Sequence, residues 1–246
     1  MKTLLLLIIL SSILTACKKG GQPPIQNIKG LLVATMTTIA APDTTVATYS
    51  YDDNNRIIKI VNTQTGLFGQ FIITYTYDAD GDVTSQTSTN GSITDKAIVN
   101  YINGQPAFIR SISIVGNDTL SNAIASTITV RNNRVVRMNV NGGANGDTIT
   151  YIGNNVKTFS PLDGIDPSGN FNYGTKNGPF KNSRFKWVLD LNEGNIFMEF
   201  DENDIVNSTG PNPEVFHNTY NTQGYPTQII FGAGGIVKNF TYMNAK

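Results

Sequence analysis

Turn-forming dipeptides recur about every dozen residues from Leu31 onward, and this spacing limits how long any regular element can be. One series of predicted turn centres lies at Asn54-Asn55, Asp80-Gly81, Asn103-Gly104, Asn132-Asn133 and Asn154-Asn155. A second series falls between them, at Gly66 to Gly69, Asn90-Gly91, Asn117-Asp118 and Gly142 to Gly146. Because Asn-Gly and Asp-Gly tolerate the positive φ that tight hairpins need, the spacing predicts consecutive β-hairpins.

The segments between these turns alternate polar and apolar residues, as in Tyr49-Ser50-Tyr51 and Ile58-Lys59-Ile60. A period of two places one set of side chains on one face of a sheet, and we find no long run of helical period after residue 17. We therefore predict an all-β fold, an antiparallel β-meander built from repeated hairpins. Its sheet should be curved or partly closed, because a long flat sheet with free edges would aggregate.

Residues 160–183 interrupt the pattern, since they are rich in glycine and proline and show no clear alternation. We predict one long irregular loop here. Phe185 to Leu191 fits either a short helix or a strand. Strands are expected to resume in four later segments: Asn195 to Phe200, Glu214 to Tyr220, Pro226 to Phe231 and Ile236 to Met243.

The amino-terminal residues have the parts of an export signal. Lys2 is positive, and the apolar stretch from Leu4 to Leu14 spans eleven residues, too short for a spanning helix of about twenty. Leu14-Thr15-Ala16-Cys17 resembles the lipobox of bacterial lipoproteins. In that family the cysteine thiol receives a diacylglycerol and a peptidase cuts before it, which implies a signal peptide over residues 1–16 and a lipidated Cys17.

Cysteine usage agrees with this resemblance. Cys17 is the only cysteine of the chain, so no intramolecular disulfide is available to it in an oxidising compartment. An ordinary signal peptide that happens to contain a cysteine is the alternative. It would leave a lone thiol.

The chain after the signal divides into a tether and one domain. Residues 17–29 contain Gly20-Gly21 and Pro23-Pro24 and little apolar surface, so we predict a flexible, lipidated tether. Residues 30–246 form the predicted single β-rich domain. Lys18 stands where lipoproteins retained in the inner membrane of enteric bacteria carry aspartate, and that analogy implies the outer membrane of a Gram-negative bacterium.

Charge balance narrows the expected partners. The chain has 18 basic and 18 acidic residues, and only 15% of its residues are charged. A near-neutral surface argues against nucleic acid. The expected partners are the membrane, through the lipid anchor, and a glycan or an envelope protein. No cofactor-binding motif is recognisable, and we expect no cofactor.

Two hairpin units share a visible motif. TYSYDDNNRIIKI (48–60) and TYTYDADGDVTSQ (74–86) both begin Thr-Tyr-x-Tyr-Asp, and Tyr49, Tyr75 and Tyr101 are spaced by 26. The motif resembles the tyrosine-aspartate repeats of Rhs-type bacterial surface proteins, in which each unit is a hairpin of a long curled sheet. The third unit, YINGQPAFIRSI, lacks the Tyr-Asp pair, and the fourth, ITVRNNRVVRM, lacks tyrosine.

The carboxyl-terminal third carries a second likeness. YGTKNGPFKNS (173–183), HNTYNTQGYPTQIIF (217–231) and NFTYMN (239–244) resemble pieces of uncharacterised lipoproteins of Bacteroidetes. Gly178 interrupts the first piece, and Gln228 replaces a lysine of the second. The resemblance implies a compartment and a fold class, and it implies no chemistry.

Aromatic residues cluster around the irregular segment, with Trp187, Tyr173 and Phe180 as ligand-binding candidates beside Phe171 and Phe185. Aromatic rings on loops can stack against sugar rings. The alternative, which we favour, is that these rings cover the open end of a sheet.

Asp78, Asp80 and Asp82 have the oxygen spacing of some calcium loops and are a weak metal candidate. The twelfth position counted from Asp78 is Thr89 instead of glutamate, and a tight turn explains the same residues.

No catalytic constellation is recognisable. His217 is the only histidine and lies on a presumed strand. The chain contains no nucleophile-elbow motif that could supply a serine for a catalytic triad with it. Five acidic residues could supply a pair of carboxylates, and we expect them to be solvated in a polar turn region: Glu193, Glu199, Asp201, Glu202 and Asp204. The sequence therefore favours a non-enzymatic, membrane-anchored binding or scaffolding lipoprotein. An envelope polysaccharide hydrolase is the alternative.

Overall fold

The computed structural model describes residues 30–65, 69–131, 134–140, 146–161, 169–183, 202–210, 213–232 and 235–246. Every regular element in these ranges is a β-strand. They contain no helix with the length and apolar character needed to cross a membrane. The predicted signal peptide, tether, Cys17, Trp187 and the 185–191 segment lie outside the described residues.

Sixteen strands follow one another along the chain. They are β1 (Leu31–Ala40), β2 (Asp43–Tyr51), β3 (Ile57–Gln64), β4 (Gln70–Tyr77), β5 (Val83–Asn90), β6 (Ile93–Ile102), β7 (Gln105–Val115), β8 (Asp118–Arg131), β9 (Arg134–Val140), β10 (Gly146–Ile152), β11 (Asn155–Pro161), β12 (Gly169–Asn177), β13 (Asn203–Thr209), β14 (Phe216–Tyr220), β15 (Pro226–Phe231) and β16 (Val237–Asn244).

All sixteen strands belong to one antiparallel sheet in which chain neighbours pair with each other. The first and last strands also pair, with Leu31 opposite Asn244. Between β13 and β14 the pairing shrinks to one isolated bridge, Asn207 to Val215, and the Ser208 amide donates to the Glu214 carbonyl at 2.8 Å. The sheet is thus a nearly closed, barrel-like meander, which confirms the predicted fold class.

The two series of predicted turns lie at the two ends of this sheet. Turns of the first series connect an even-numbered strand to the next odd-numbered one, as at Asn54-Asn55 between β2 and β3. Turns of the second series connect odd to even, as at Asn90-Gly91 between β5 and β6. Positive φ at Asn55, Gly81, Gly91 and Gly104 agrees with the hairpin chemistry on which the prediction rests.

The prediction of an irregular loop over 160–183 was wrong in part, because Gly169–Asn177 forms β12. This strand contains no aliphatic residue, so its alternation rests on Phe171 and Tyr173, which pack against the core. Residues 178–202 lie between β12 and β13 in the chain, and the structure describes 178–183 and 202 of them.

Buried side chains occupy the face that the sheet encloses. One core cluster draws on β1 to β6 and β13 to β16 and contains bulky residues such as Leu32, Ile57 and Phe240. A second, smaller cluster lies on β7 to β11 around Ile109 and Ile149. Phe171 packs against both clusters, so the two halves of the enclosed face are in contact.

Seven of the eight even-numbered strands carry a tyrosine at or after their midpoint: Tyr51, Tyr77, Tyr101, Tyr151, Tyr173, Tyr220 and Tyr242. Six of these hydroxyls donate to a main-chain carbonyl of an earlier strand in the sheet. The bonds are Tyr51 to Val33 (3.0 Å), Tyr77 to Ile57 (2.6 Å), Tyr101 to Val83 (2.9 Å), Tyr151 to Val135 (2.8 Å), Tyr173 to Val156 (2.6 Å) and Tyr242 to Pro226 (2.6 Å).

These bonds form a ring around one end of the sheet. Tyr77 donates to Ile57, and Ile57 is the residue that pairs with Tyr51 in the sheet. Each tyrosine thus bonds to the strand partner of the tyrosine before it. Val33, the acceptor for Tyr51, is the register partner of Tyr242, and the ring therefore continues across the first and last strands. We call this end, which also holds Gly30 and Ala245, the tyrosine end.

Strand β8 is the exception, because Val130 stands at its ring position. A register shift precedes Val130, as it precedes Tyr51, Tyr77 and Tyr101. The same shifts show that Tyr101 corresponds to Tyr51 and Tyr77. The constant spacing of 26 from Tyr49 and Tyr75 therefore matched Tyr101 with the wrong tyrosine of the earlier units.

We expect Tyr77→Phe to lower the free energy of unfolding by about 1 kcal/mol, because it leaves the Ile57 carbonyl without the hydroxyl of the ring. Chemical denaturation checks this value. Thr74→Ser, at an exposed position of the same strand, is the control and should change stability by less than about 0.5 kcal/mol. Equal effects of both substitutions would contradict a stabilising role for the ring.

Candidate functional site

The residue after a ring tyrosine caps the turn that follows it. Asp52 Oδ1 accepts the amides of Asn54 and Arg56, each at 2.9 Å. Asp78 Oδ1 accepts the Asp82 amide at 2.9 Å. These bonds give the Tyr-Asp pair a local structural reason, since the tyrosine reaches back to an earlier strand while the aspartate closes the turn.

The turn between β14 and β15 repeats this device with asparagine. Asn221 follows Tyr220, and its Oδ1 accepts the amides of Gln223 and Tyr225 at 3.0 Å each. Gly224 has φ +78, as Gly81 has φ +86 in the earlier turn. The pattern Tyr, Asp or Asn, two residues, then a left-handed residue was therefore present in the sequence, and the change to Asn221 hid it.

The calcium candidate coincides with one of these caps. Asp78 belongs to a turn in which the Gly81 amide also donates to the Asp78 carbonyl at 3.0 Å. Within the described ranges, no three or more His, Cys, Asp or Glu side chains are placed to hold a metal ion. The geometry thus gives Asp78 a role in the turn, while calcium binding at Asp78, Asp80 and Asp82 stays a prediction.

Two turn asparagines tie separate segments to the tyrosine end. The buried Asn55 accepts the Lys246 amide on Oδ1 at 2.9 Å. The buried Asn155 accepts the amides of Glu202 and Asn203 on Oδ1, at 2.8 and 3.0 Å. Asn155 thereby fixes the point where the long connection enters β13.

Burial raises the pKa of four ring hydroxyls above the ordinary tyrosine value of about 10; they are those of Tyr51, Tyr77, Tyr101 and Tyr242. At Tyr77 the Arg56 guanidinium acts in the opposite direction, and it lies 4.4 Å from the centre of that ring. Burial, followed by the hydrogen bond to Asp204, raises the pKa of Tyr220 to about 12.

We expect the free energy of unfolding to fall as the pH rises above about 10. Tyrosines of the unfolded chain ionise there, whereas those of the folded ring keep their protons to higher pH, so alkali favours the unfolded state. Denaturation at several pH values, with tyrosinate absorbance as a second signal, measures the slope. A Tyr77→Phe, Tyr101→Phe double variant should have a shallower slope, and an unchanged slope would contradict the assignment.

Asp204 is the residue that makes the junction of β13 and β14 unlike the rest of the ring. Its side chain is 2% exposed, Oδ1 accepts the Lys176 amide at 2.8 Å, and Oδ2 accepts the Tyr220 hydroxyl. A Cβ at Gly174 would lie 2.6 Å from Oδ2, so glycine makes room for the carboxylate. Asn218 Nδ2 adds a bond to the Ile205 carbonyl at 2.8 Å.

These contacts correct the expectation that Asp204 is a solvated turn residue, since it is buried on a strand. Glu202 lies elsewhere: Asn154 Nδ2 donates to its Oε2, and Lys181 Nζ is 4.0 Å from its Oε1. Glu193, Glu199 and Asp201 lie outside the described residues. His217 is exposed on β14, as expected of a solvent-facing strand residue.

We expect Asp204→Ala to destabilise the protein by roughly 2 kcal/mol, because it removes the buried acceptor of two part-buried donors. Hydrogen exchange should show faster exchange in β13 and β14 than in β3 and β4. Glu202→Ala, which removes a partly exposed pair, is the control and should cost less than about 1 kcal/mol. Uniform acceleration over the whole sheet would contradict a local role at this junction.

Phe180 and Tyr173, the ligand-binding candidates that lie in the described ranges, do not form an exposed platform. Phe180 is 1% exposed, and its ring centre lies 5.1 Å from that of Tyr49 and 6.5 Å from that of Phe240. Tyr173 is a member of the ring. Ligand binding by the Phe180 ring is therefore corrected to a role in the core, where burial of the whole ring stabilises the fold.

Residues 178–183 bring Phe180 to this position by crossing the tyrosine end. The Gly178 amide donates to the Glu202 carbonyl at 2.9 Å. Asn182 Nδ2 donates to the Leu31 carbonyl at 3.0 Å and to the Tyr225 hydroxyl at 2.7 Å. The favoured alternative, in which aromatic residues cover an end of the sheet, describes Phe180 better than the platform does.

The outward face carries hydroxyl groups where the enclosed face carries apolar side chains. Exposed threonines bond across strands, Thr35 to Thr241 at 2.6 Å and Thr76 to Thr84 at 2.8 Å. Thr74 and Thr76 flank the buried Tyr75, so β4 separates a polar from an apolar face.

No protein-family model matches this sequence, and no curated protein matches it. Among solved structures, it is similar to a porin-like protein from Bacteroides uniformis, with 12% identity and a TM-score of 0.54 over 86% of this chain and 98% of that one. A porin-like protein from Bacteroides vulgatus follows, with 8% identity and a TM-score of 0.38 over 87% and 99%. The likeness to the first of these is one of fold.

Proposed function

We propose that this protein is a lipid-anchored envelope protein whose barrel-like domain stands outside the bilayer and acts as a non-enzymatic binding or scaffolding module. The observation that carries the proposal is the polarity of the two sheet faces. Bulky apolar residues such as Leu32, Ile57 and Phe240 fill the enclosed face. Exposed threonines such as Thr35 and Thr74 lie on the outward face.

A barrel that spans a membrane needs the opposite arrangement. Its outward face carries an apolar band about 25 Å tall, and its interior is polar. Threonine, lysine and arginine on the outward face would lose their hydration in hydrocarbon, which is costly. The face polarity therefore favours an extramembrane module over a pore, although the structural relative from Bacteroides uniformis is described as porin-like.

The resemblance of Leu14-Thr15-Ala16-Cys17 to a lipobox supplies the means of attachment. Twelve residues lie between Cys17 and Gly30, and an extended chain over these thirteen residue-to-residue steps reaches about 45 Å. The Gly30 carbonyl accepts the Ala245 amide at the tyrosine end. In this proposal the tyrosine end faces the membrane, and the opposite end is presented to partners.

The outer membrane of a Gram-negative bacterium is the proposed location. Lys18 beside the lipidated cysteine supports it by analogy with sorted lipoproteins, and the similar fold comes from a Bacteroides protein. The likeness to tyrosine-aspartate repeats is also part of this proposal, and it is supported by hairpins in which a tyrosine bond and an aspartate turn cap occur together. Membership of a lipoprotein family of Bacteroidetes is part of this proposal.

We expect Cys17→Ser to release the protein from the membrane fraction, because lipidation requires the thiol and the attached acyl chains are the proposed anchor. Mass spectrometry of the wild-type protein should find fatty acid on Cys17. Wild-type protein in planar bilayers should produce no conductance steps, with an established porin as the positive control. Membrane retention of the serine variant, or stepwise conductance, would count against the proposal.

A further inference from the structure

One cross-strand row of the enclosed face changes character between β4 and β5. On β2 to β4 the row is bulky and apolar, and on β5 to β8 it is small and polar. In register order, its members are Tyr49, Ile60, Ile73, Ser88, Asp95, Ser113 and Ser121. Because directly opposed residues share a face, the four polar members lie on the same face as the core.

The adjacent row makes the same change. Its members in register order are Tyr75, Gln86, Ala97, Ser111 and Ala123. We call the β5 to β8 positions of both rows the small-residue patch. The buried Val99 and Ile109 border it towards the tyrosine end, and the exposed Ile93 and Val115 border it at the opposite end.

The patch is open to solvent on the β8 side. Gln86 is buried, Ser111 is half-buried and Ala123 is exposed, so exposure increases along the row. Asp95 is also exposed, and its Oδ1 accepts the Ser113 hydroxyl at 2.6 Å. Small side chains thus line a surface that a ligand can approach across β8.

Gln86 closes the patch at its inner end. It is 1% exposed, and neither Oε1 nor Nε2 has a hydrogen-bond partner among the residues that the structure describes. A buried amide with neither group bonded lowers stability, and leucine of similar size would avoid that cost. The register places this amide directly beside Ala97, the next member of the row.

We propose that the small-residue patch binds a neutral oligosaccharide, and that the Gln86 amide, which is 1% exposed in this structure, turns towards the neighbouring Ala97 to donate to and accept from sugar hydroxyls. This inference rests on the proposed function and names its ligand class. Asp95 and the serine hydroxyls supply further hydrogen bonds, and Ala97 and Ala123 leave room for a sugar ring. An extended peptide would need a free strand edge, whereas β5, β6 and β7 are each paired on both sides.

The test uses the purified full-length lipoprotein in detergent and a panel of neutral hexasaccharides derived from cellulose, starch, xylan and chitin. Calorimetric titration should detect binding of at least one of them. Gln86→Leu and Ser111→Phe should each weaken that binding about tenfold or more, since one removes the amide and the other fills the patch. Gln86→Leu should leave thermal stability equal or higher.

Thr87→Ala is the matched control, because Thr87 is the next residue of β5 and points to the opposite face. It should bind the same sugar with wild-type affinity. Absence of binding by every sugar overturns the inference, as does sugar binding that both patch variants retain with wild-type affinity. None of these results tests the lipid-anchored module itself, which is tested separately by the fatty-acid and conductance measurements.

Discussion

The hydroxyl bonds of the tyrosine ring link each hairpin to the one before it, and the closed shape of the sheet depends on that linkage. A slip of one residue between two strands moves every side chain to the other face. The tyrosine bonds exclude that slip. The Tyr77 hydroxyl, for example, reaches the Ile57 carbonyl only when β3 and β4 are in their observed register. The bond from Tyr51 to Val33 extends the same control to β1 and β16, the strands most distant in sequence. No strand edge is then left free at that point, and edge-to-edge aggregation is avoided.

At the junction of β13 and β14 the tyrosine bonds to a side chain instead of a main-chain carbonyl. This difference accompanies the long segment that precedes β13. Residues 178–202 separate β12 from β13, whereas two to seven residues separate the other consecutive strands. Main-chain pairing between β13 and β14 is correspondingly slight, and side chains replace it. Tyr220 donates to the carboxylate of Asp204 instead of to a carbonyl, and Asn218 supplies a further bond. The ring thus continues through the weakest pairing of the sheet by means of the buried Asp204 side chain.

Much of the fold could be predicted because its signals are local. Turn dipeptides and period-two alternation placed β15 at Pro226–Phe231, where the structure has it. The tyrosine ring could not be predicted from spacing, because the register shifts before Tyr51 and Tyr101 depend on pairing with another strand. β12 was missed because Phe171 and Tyr173 carry its alternation among glycines and asparagines. The burial of Asp204 and Phe180 was missed for a related reason, since both are enclosed by strands distant in sequence.

The small-residue patch shows the same division between local and distant information. Ser88, Ser111 and Ser113 are unremarkable along the chain, since serine is common on exposed strand faces. Only the register shows that Ser88 and Ser113 share a row with Ile73, that Ser111 shares one with Tyr75, and that all three face the core. A fold shared with a porin-like protein does not fix what such a face does, because function depends on the side chains placed on the fold. Apolar side chains line most of the described part of the enclosed face, and at the proposed site Gln86 and its small neighbours interrupt them with hydrogen-bonding groups for a polar ligand.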